Sequence, residues 1–344
     1  METLNNLEVI KYNVLTLEQK EEFKTIKSLP NCIHLMCAYN ELTHLPELPK
    51  CEELNCSNNR LVRLPELPNC KYIYCFNNQL TELPKLPKCE RLVCSNNRLV
   101  RLPELLECEI LKCSTNQLTE LPKLLPNCKK LDCSSNKLTE LPKLPRCEKL
   151  DCANNRLVNL PKLPHCEILK CHVNELTHLS ELPNCIILEC SHNRLVHLSN
   201  LPECKYIDCS NNELTHLSEI PNCIELTCSN NQLIYLPELL NYETLYCSNN
   251  QLVYLPKLPN CERLNCSNNQ LDQLPELPKC EVLDCSNNQL IYLPELPKCK
   301  LLTCFNNSKL YCTREFATKF RLTYPSPGWR TIKHLIKDNY INLK

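Results

Sequence analysis

The 344-residue chain has one glycine, one tryptophan and two methionines. A single glycine excludes the glycine-rich loops that hold phosphates, because such loops need several residues without a side chain. The sequence also has no G-x-S-x-G, H-E-x-x-H or C-x-x-C motif. These absences argue against the corresponding hydrolase, zinc-protease and redox chemistries. We therefore expect a protein that is not an enzyme and that carries no cofactor.

Neither sign of charge is in excess, since 39 Lys and Arg balance 39 Asp and Glu. A balanced chain has no bulk attraction for nucleic acid or anionic lipid. No apolar run approaches the roughly 20 residues of a membrane span. The N-terminal sequence METLNNLEVIKYNV lacks the basic start and apolar stretch of a signal peptide. The sequence predicts neither a nucleic-acid partner nor a membrane partner.

A 19-residue repeat, C-x-x-L-x-C-S-N-N-x-L-x-x-L-P-x-L-P-x, accounts for most of the chain. Positions are counted here from its first cysteine. Such a short fixed period indicates a solenoid, in which each repeat buries its apolar side against its neighbours. We expect a helical cap at 1–30, fifteen repeats over 31–310 and a second helical cap at 311–344. The copies begin at residues 32, 51, 70, 89, 108, 128, 147, 166, 185, 204, 223, 242, 261, 280 and 299, with one interval of 20.

Side-chain alternation predicts a short strand at positions four to six, with Leu54 and Cys56 on one side and Asn55 on the other. One strand per repeat predicts a parallel sheet with strands about 4.8 Å apart. Position nine is Asn in all fifteen copies, whereas position eight varies. We expect the position-nine amides to bond backbone groups at the turn, and position eight to be merely tolerant. The predicted structural asparagines are Asn59, Asn78, Asn97, Asn116, Asn136, Asn155, Asn174, Asn193, Asn212, Asn231, Asn250, Asn269 and Asn288.

The segment Cys51–Leu61 resembles the leucine-rich-repeat signature L-x-x-L-x-L-x-x-N-x-L, with Cys at positions one and six. The tail Leu64–Pro68 resembles the short bacterial-type repeats of secreted effector proteins. The Cys-for-Leu variant resembles leucine-rich-repeat proteins of giant DNA viruses, such as mimivirus. This resemblance covers 31–310 and implies a horseshoe solenoid whose concave face is a parallel β-sheet that binds protein. The paired prolines disfavour helices, so we expect an extended, polyproline-like convex face.

Twenty-nine of the thirty cysteines fall at positions one and six, and Cys312 is the remaining one. Free cysteine packs well as a small apolar side chain, and both positions belong to the core of the repeat. Disulfides are a second interpretation, but the chain is large and has no visible secretion signal. The spacing C-x4-C-x13-C differs from that of zinc sites. We favour reduced core thiols and a cytoplasmic protein, which would lie in the host cytosol if the chain is viral.

Positions three and five should project from the sheet towards a partner. Tyr72, Tyr74 and Phe76 beside Arg91 form either a binding hot spot or ordinary cross-strand pairs. Charged residues in the middle of the array form either a self-neutralising face or a charge-coded partner site. These charged residues are Lys112, Lys130, Lys149, Lys170, Asp132, Asp151, Glu189 and Asp208.

Three histidines stand at position thirteen of consecutive repeats, namely His178, His197 and His216. Stacked imidazoles suggest a metal site or a pH-dependent switch. Duplication of one repeat explains them more simply, and we predict no metal. As a whole, the sequence predicts a monomeric protein-interaction scaffold. The alternatives are an adaptor that recruits machinery such as a ubiquitin ligase, and a structural or virion component.

Overall fold

The computed structural model describes residues 8–11, 23, 25–238 and 240–310. The chain forms two compact units, Met1–Leu176 and Thr177–Lys344. The predicted C-terminal cap, 311–344, lies outside the described residues, as does most of the N-terminal cap predicted at 1–30. The caps, like the horseshoe curvature, therefore stay predictions.

The described part of the first unit contains nine three-residue strands, and each described pair of consecutive strands is parallel. The predicted parallel strands are confirmed, but they occupy positions three to five, one residue earlier than expected. The strands are β1 (Val9–Lys11), β2 (His34–Met36), β3 (Glu53–Asn55), β4 (Tyr72–Tyr74), β5 (Arg91–Val93), β6 (Ile110–Lys112), β7 (Lys130–Asp132), β8 (Lys149–Asp151) and β9 (Ile168–Lys170).

The second unit repeats the arrangement with seven strands, which pair in parallel in chain order. The register is one repeat per step, so that like positions lie side by side. The strands are β10 (Ile187–Glu189), β11 (Tyr206–Asp208), β12 (Glu225–Thr227), β13 (Thr244–Tyr246), β14 (Arg263–Asn265), β15 (Val282–Asp284) and β16 (Leu301–Thr303).

Strand β1 lies inside the segment predicted to be a helical cap, and it pairs with β2 through Val9 and His34. The carbonyl of Glu8 accepts the N–H groups of Ile33 and His34 at 2.7 and 3.0 Å. Phe23, from the same segment, is buried. A parallel sheet edge carries unpaired backbone groups, and β1 satisfies those of the first repeat. The sheet therefore begins before the first recognisable repeat.

The core consists of positions that stack from repeat to repeat. Leu54, at position four, is fully buried and lies beside Ile73 of the next strand. All 29 described cysteines are free, and all except the half-buried Cys299 are buried. The position-one thiols bond within their own repeat, as where Cys51 Sγ donates to the carbonyl of Glu53 at 3.2 Å. These thiols thus pack as apolar side chains whose S–H groups are satisfied locally.

The L-P-x-L-P tails contain no helix within the described residues. Leucines of the tails contribute to the core, as Leu64 and Leu67 do. The 20-residue interval shows how an extra residue is accommodated. Leu125 is buried in the usual place while Leu124 is 59% exposed. The insertion therefore bulges towards solvent, and the buried stack keeps its register.

Candidate functional site

The side chains of positions three and five lie on one face of the strands, which we call the sheet face. Position four is buried in every strand from β2 to β16, whereas positions three and five are half-buried or exposed. This alternation follows from the period of two in a strand. The sheet face is therefore the surface on which the sequence differs between repeats without changing the core.

An aromatic cluster occupies β4 and β5 of the first unit. Tyr72 pairs in register with Arg91 and is 37% exposed. Arg91 Nη1 donates to Tyr74 Oη at 3.3 Å, and Tyr72 Oη donates to Glu90 Oε2 at 3.2 Å. The bond to Glu90 raises the pKa of Tyr72. The half-buried Phe76 follows β4. The structure thus brings Tyr72, Tyr74 and Arg91 together and adds Glu90, which sequence reasoning missed.

A depression of about 290 Å³ lies on the sheet face across β6 to β9. It brings together six of the charged residues predicted as a partner site, and we call it the lysine depression. Leu131, Leu150 and Ile168 also line it. Four lysines and two aspartates give it two net positive charges. Its charged residues are Lys112, Lys130, Lys149, Lys170, Asp132 and Asp151.

The two aspartates of the lysine depression bond to their own turns. Asp132 Oδ1 accepts the hydroxyl and the N–H of Ser134 at 2.8 and 3.2 Å, and Oδ2 accepts the Ser114 hydroxyl at 3.0 Å. Asp151 Oδ1 accepts the N–H of Ala153 at 3.2 Å. Burial raises the pKa of Asp151, an effect that the Ala153 bond opposes and the nearby Asp132 reinforces. These carboxylates close the turn after the strand.

The lysines of the depression behave differently. Lys112, Lys130 and Lys149 are exposed, and within the described residues none forms an ion pair. The self-neutralising interpretation therefore does not describe these three ammonium groups. Two of the described ion pairs of the first unit lie in a neighbouring column, at position two. Lys71 contacts Glu52 at 3.1 Å and Lys129 contacts Glu109 at 3.0 Å.

The last two predicted charges lie in the second unit, on β10 and β11. Glu189 and Asp208 are direct neighbours in the register. Asp208 Oδ1 accepts the hydroxyl of Ser210 at 2.6 Å and its N–H at 3.0 Å. Asp208 therefore has the same turn-closing role as Asp132. An acidic or amide residue at position five followed by Ser at position seven is the sequence signal for this role, and it was missed.

The position-nine asparagines each tie two repeats together. Asn97 Nδ2 donates to the carbonyls of Cys75, Cys94 and Ser95 at 3.0, 3.0 and 3.3 Å. Its Oδ1 accepts the N–H of Leu80 at 3.0 Å. The turn would otherwise leave these backbone groups without partners. These asparagines therefore have a structural role, and their amide groups have few hydrogen-bonding positions left for a ligand.

Position eight has a stricter backbone requirement than its varied sequence suggested. It has a φ between 54° and 60° in every repeat, in the left-handed region that costs most residues energy. Asparagine tolerates this region better than other side chains do, which explains its frequency in a chain with one glycine. The expectation of mere tolerance was wrong. The departures from Asn are Tyr39, Thr115, Ser135, Val173 and His192.

The histidine column is a packing feature of the second unit. The rings of His197 and His216 lie 4.7 Å apart and are tilted by 46°. Within the described residues no group of three His, Cys, Asp or Glu side chains could hold a metal ion. The serines that replace proline in these repeats bond to the previous repeat. Ser199 Oγ donates to the carbonyl of Ser180, and Ser218 Oγ to that of Leu198, both at 3.2 Å.

A search of the described residues finds no helix long and apolar enough to cross a membrane. No protein-family model matches the chain, and no curated protein does. Solved structures do match it. YopM from Yersinia enterocolitica WA-314 has a TM-score of 0.74 and 34% identity, over 87% of this chain and 73% of that one.

Two further structures agree with this match. YopM from Yersinia pestis, a leucine-rich effector protein, has a TM-score of 0.68 and 33% identity over 88% of this chain and 87% of that one. The leucine-rich-repeat protein LIC12759 from Leptospira interrogans has a TM-score of 0.68 and 29% identity over 86% and 90%. The parallel strands, the asparagine column and these matches together show that the chain belongs to the leucine-rich-repeat family.

Proposed function

We propose that the chain is a protein-interaction scaffold that binds its partner on the sheet face. The observation that carries the proposal is the contrast between columns. Positions four, six and nine are nearly constant and are bonded or packed within the solenoid, whereas positions three and five vary and face solvent. A rigid sheet loses little conformational entropy on binding, so side-chain differences can be used for recognition. The similarity to a leucine-rich effector protein supports the same function.

The aromatic cluster is the proposed anchor. Tyrosine and arginine are enriched among residues that dominate binding energies, because they combine apolar area with polar groups. Tyr72, Tyr74 and Arg91 are held in place by hydrogen bonds to one another and to Glu90. Arg91 Nε is buried without a hydrogen-bond partner. A partner that covers the cluster would meet side chains that are already ordered.

We also propose that the protein works in a reducing compartment such as the cytosol. Its 29 described cysteines are all free. A chain that already has an extensive core does not need disulfides for stability, and free thiols persist where glutathione keeps them reduced. Counting free thiols in the protein isolated from its source under alkylating conditions tests this point. A count near thirty is expected, and a count near zero would show that the thiols are oxidised.

Affinity capture under reducing conditions tests the scaffold function. The wild type is compared with the triple variant Tyr72→Ala, Tyr74→Ala, Phe76→Ala. The matched control is Arg63→Ala, Glu82→Ala, Arg101→Ala, whose exposed residues lie outside the sheet face in the same repeat and its two neighbours. A captured protein is then purified and titrated against all three chains. Thermal melts establish that each variant is folded.

We expect one protein to bind the wild type and the control equally, and to bind the aromatic variant at least about tenfold more weakly, as loss of a hot spot implies. Equal binding by all three chains would place the contact away from the cluster. If no protein binds reproducibly, the proposal is wrong and the structural-component alternative is favoured. If the captured proteins are ubiquitin-ligase components, the adaptor alternative is favoured.

A further inference from the structure

We propose that the lysine depression binds an acidic segment of a partner protein, in extended conformation and with carboxylates at alternate residues. This inference rests on the proposed scaffold function and names a second contact region for it. It starts from the exposed and unpaired ammonium groups of Lys112, Lys130 and Lys149. Elsewhere in the first unit the described lysines Lys71 and Lys129 have carboxylate partners.

The carboxylates within the depression are poor partners for these lysines. Asp132 uses both of its oxygens on Ser134 and Ser114. Asp151 accepts the N–H of Ala153. A carboxylate bonded to its own backbone holds its negative charge at the strand end and is not free to move towards an ammonium group. Anionic groups brought by a partner would therefore satisfy donors that the protein leaves open.

The lining of the depression also fits side chains with a short apolar stem and a charged end. Leu131, Leu150 and Ile168 line it together with the lysine side chains. Glutamate and aspartate can place their methylene groups on such a floor while their carboxylates reach the ammonium groups. The volume of about 290 Å³ is enough for a few side chains and too small for a folded domain.

The spacing of the lysines sets the form of the ligand. Lys112 on β6 and Lys170 on β9 are separated by three strand steps, or about 14 Å at ~4.8 Å per step. Lys130 and Lys149 are register partners on the strands between them. An extended peptide places side chains of the same face about 7 Å apart. Three acidic residues at alternate positions would thus span the depression when the peptide crosses the strands.

The surroundings favour an acidic peptide over a nucleic acid. Glu109, Glu148 and Glu167 stand at position two beside the same strands. Only Glu109 has a lysine partner among the described ion pairs of this region. A phosphate backbone extending beyond the depression would meet these carboxylates. Nucleic-acid affinity depends on many phosphate contacts, which a local charge of two does not supply.

Fluorescence anisotropy with the full chain tests the proposal. The probe is a fluorescein-labelled peptide of about nine residues with glutamate at every second residue and serine between. A peptide with glutamine in place of glutamate is its control. The chains are the wild type, the variant Lys112→Gln, Lys130→Gln, Lys149→Gln, and a control variant, Lys85→Gln, Lys123→Gln, Lys143→Gln. The control makes the same charge change at exposed lysines of the tails in the same unit.

We expect the wild type and the tail control to bind the glutamate peptide equally, within about twofold. The depression variant should bind at least roughly tenfold more weakly, and added salt should weaken wild-type binding. The glutamine peptide should not bind. Equal binding by both variants, no binding by the wild type, or tighter binding of a thymidine oligonucleotide than of the peptide would each overturn the proposal.

The two proposals can fail separately. If the peptide does not bind while the captured partner still depends on Tyr72, Tyr74 and Phe76, the acidic-segment proposal is wrong and the scaffold function stands. If the peptide binds by the expected pattern while no protein is captured, the depression is an anion-binding site and the scaffold function lacks support. Thermal melts of the two lysine variants should coincide with that of the wild type, because these side chains make no ion pair.

Discussion

Two neighbouring columns of the solenoid both use asparagine, but for different reasons. Position nine forms the inner column and position eight the outer column. Asn97 at position nine is needed for its side chain, which makes four hydrogen bonds to backbone groups of two repeats. Asn96, its neighbour at position eight, is needed for its backbone, which has a φ of 57°. The outer column accepts other residues at an energetic cost, whereas the inner one accepts none in fifteen copies.

Burial, rather than residue type, therefore determines whether the side chains of a column are available to react or to bind a partner. Inner cysteines such as Cys75 and Cys108 are inert because burial raises their pKa, to about 12 and about 11 respectively. Lys112, Lys130 and Lys149 on the sheet face remain available, because they are exposed and the nearby aspartates bond to their own turns. Four experiments test this distinction.

The largest expected effect is alkaline unfolding driven by the inner thiols. Their pKa is near 9.0 when exposed and is raised in the fold, so the folded state favours the neutral thiol. The resulting stability is complete below pH 9 and falls as the pH rises towards 11 and 12. At pH 10 each such thiol costs about 1.4 kcal/mol of the free energy of unfolding. Roughly four to eleven such thiols together would cancel a typical folding free energy of about 5–15 kcal/mol.

Circular dichroism as a function of pH, with reductant present, measures this effect. We expect a cooperative loss of sheet signal that begins above pH 9 and reverses on return to pH 8. Alkylation of the thiols by iodoacetamide should accelerate together with that loss. Retention of the full sheet signal at pH 12 would show that burial of the thiols does not couple folding to pH.

The second effect separates the two asparagine columns directly. Asn97→Gly removes four hydrogen bonds and leaves backbone groups unpaired, so we expect about 2–3 kcal/mol of destabilisation. Asn96→Gly keeps the left-handed backbone and loses one exposed amide bond, to Asn77. Its cost should stay below about 0.5 kcal/mol. Urea denaturation with matched slopes gives both values, and equal costs would contradict the distinction.

The position-nine column could be predicted from the sequence, because the same backbone groups need a partner in every repeat and asparagine stands there in every copy. The requirement at position eight could not be predicted so directly, because a left-handed backbone only biases the choice of residue and does not fix it. That bias is Asn in ten of fifteen copies of position eight, combined with one glycine in the chain. The role of Asp132 was missed for a related reason. Its bond to Ser134 is local, whereas side-chain alternation and the repeat period predict contacts between strands.

The site was predictable in composition but not in arrangement. Alternation placed Tyr72 and Lys130 on one face, and the period placed like positions side by side. The sequence pattern could not show that the aspartates bond to their own turns and leave Lys130 unpaired, because those bonds depend on side-chain conformations. Strand β1 was missed because its segment, residues 9–11, lacks the template that identified the other strands.

The third effect tests the strain at position eight. Val173 has a φ of 55° and is 44% exposed. A β-branched side chain is strongly disfavoured in the left-handed region, and no core packing compensates it there. We expect Val173→Asn to stabilise the protein by about 1 kcal/mol. Asn154→Val, the reverse change one repeat earlier, should destabilise it by a similar amount. Denaturation midpoints that move in the same direction for both would refute the explanation.

The smallest effect concerns a turn in the lysine depression. Asp151 is followed by Ala153, whereas Asp208 is followed by Ser210, whose hydroxyl donates to it at 2.6 Å. Ala153→Ser should add the missing bond, stabilise the protein by about 0.5 kcal/mol and lower the pKa of Asp151, because the bond favours the charged carboxylate. A carboxyl NMR titration measures the shift. Since the added bond holds the Asp151 charge at the turn, binding of the glutamate peptide should be unchanged. Weaker peptide binding by Ala153→Ser would mean that Asp151 itself contacts the ligand.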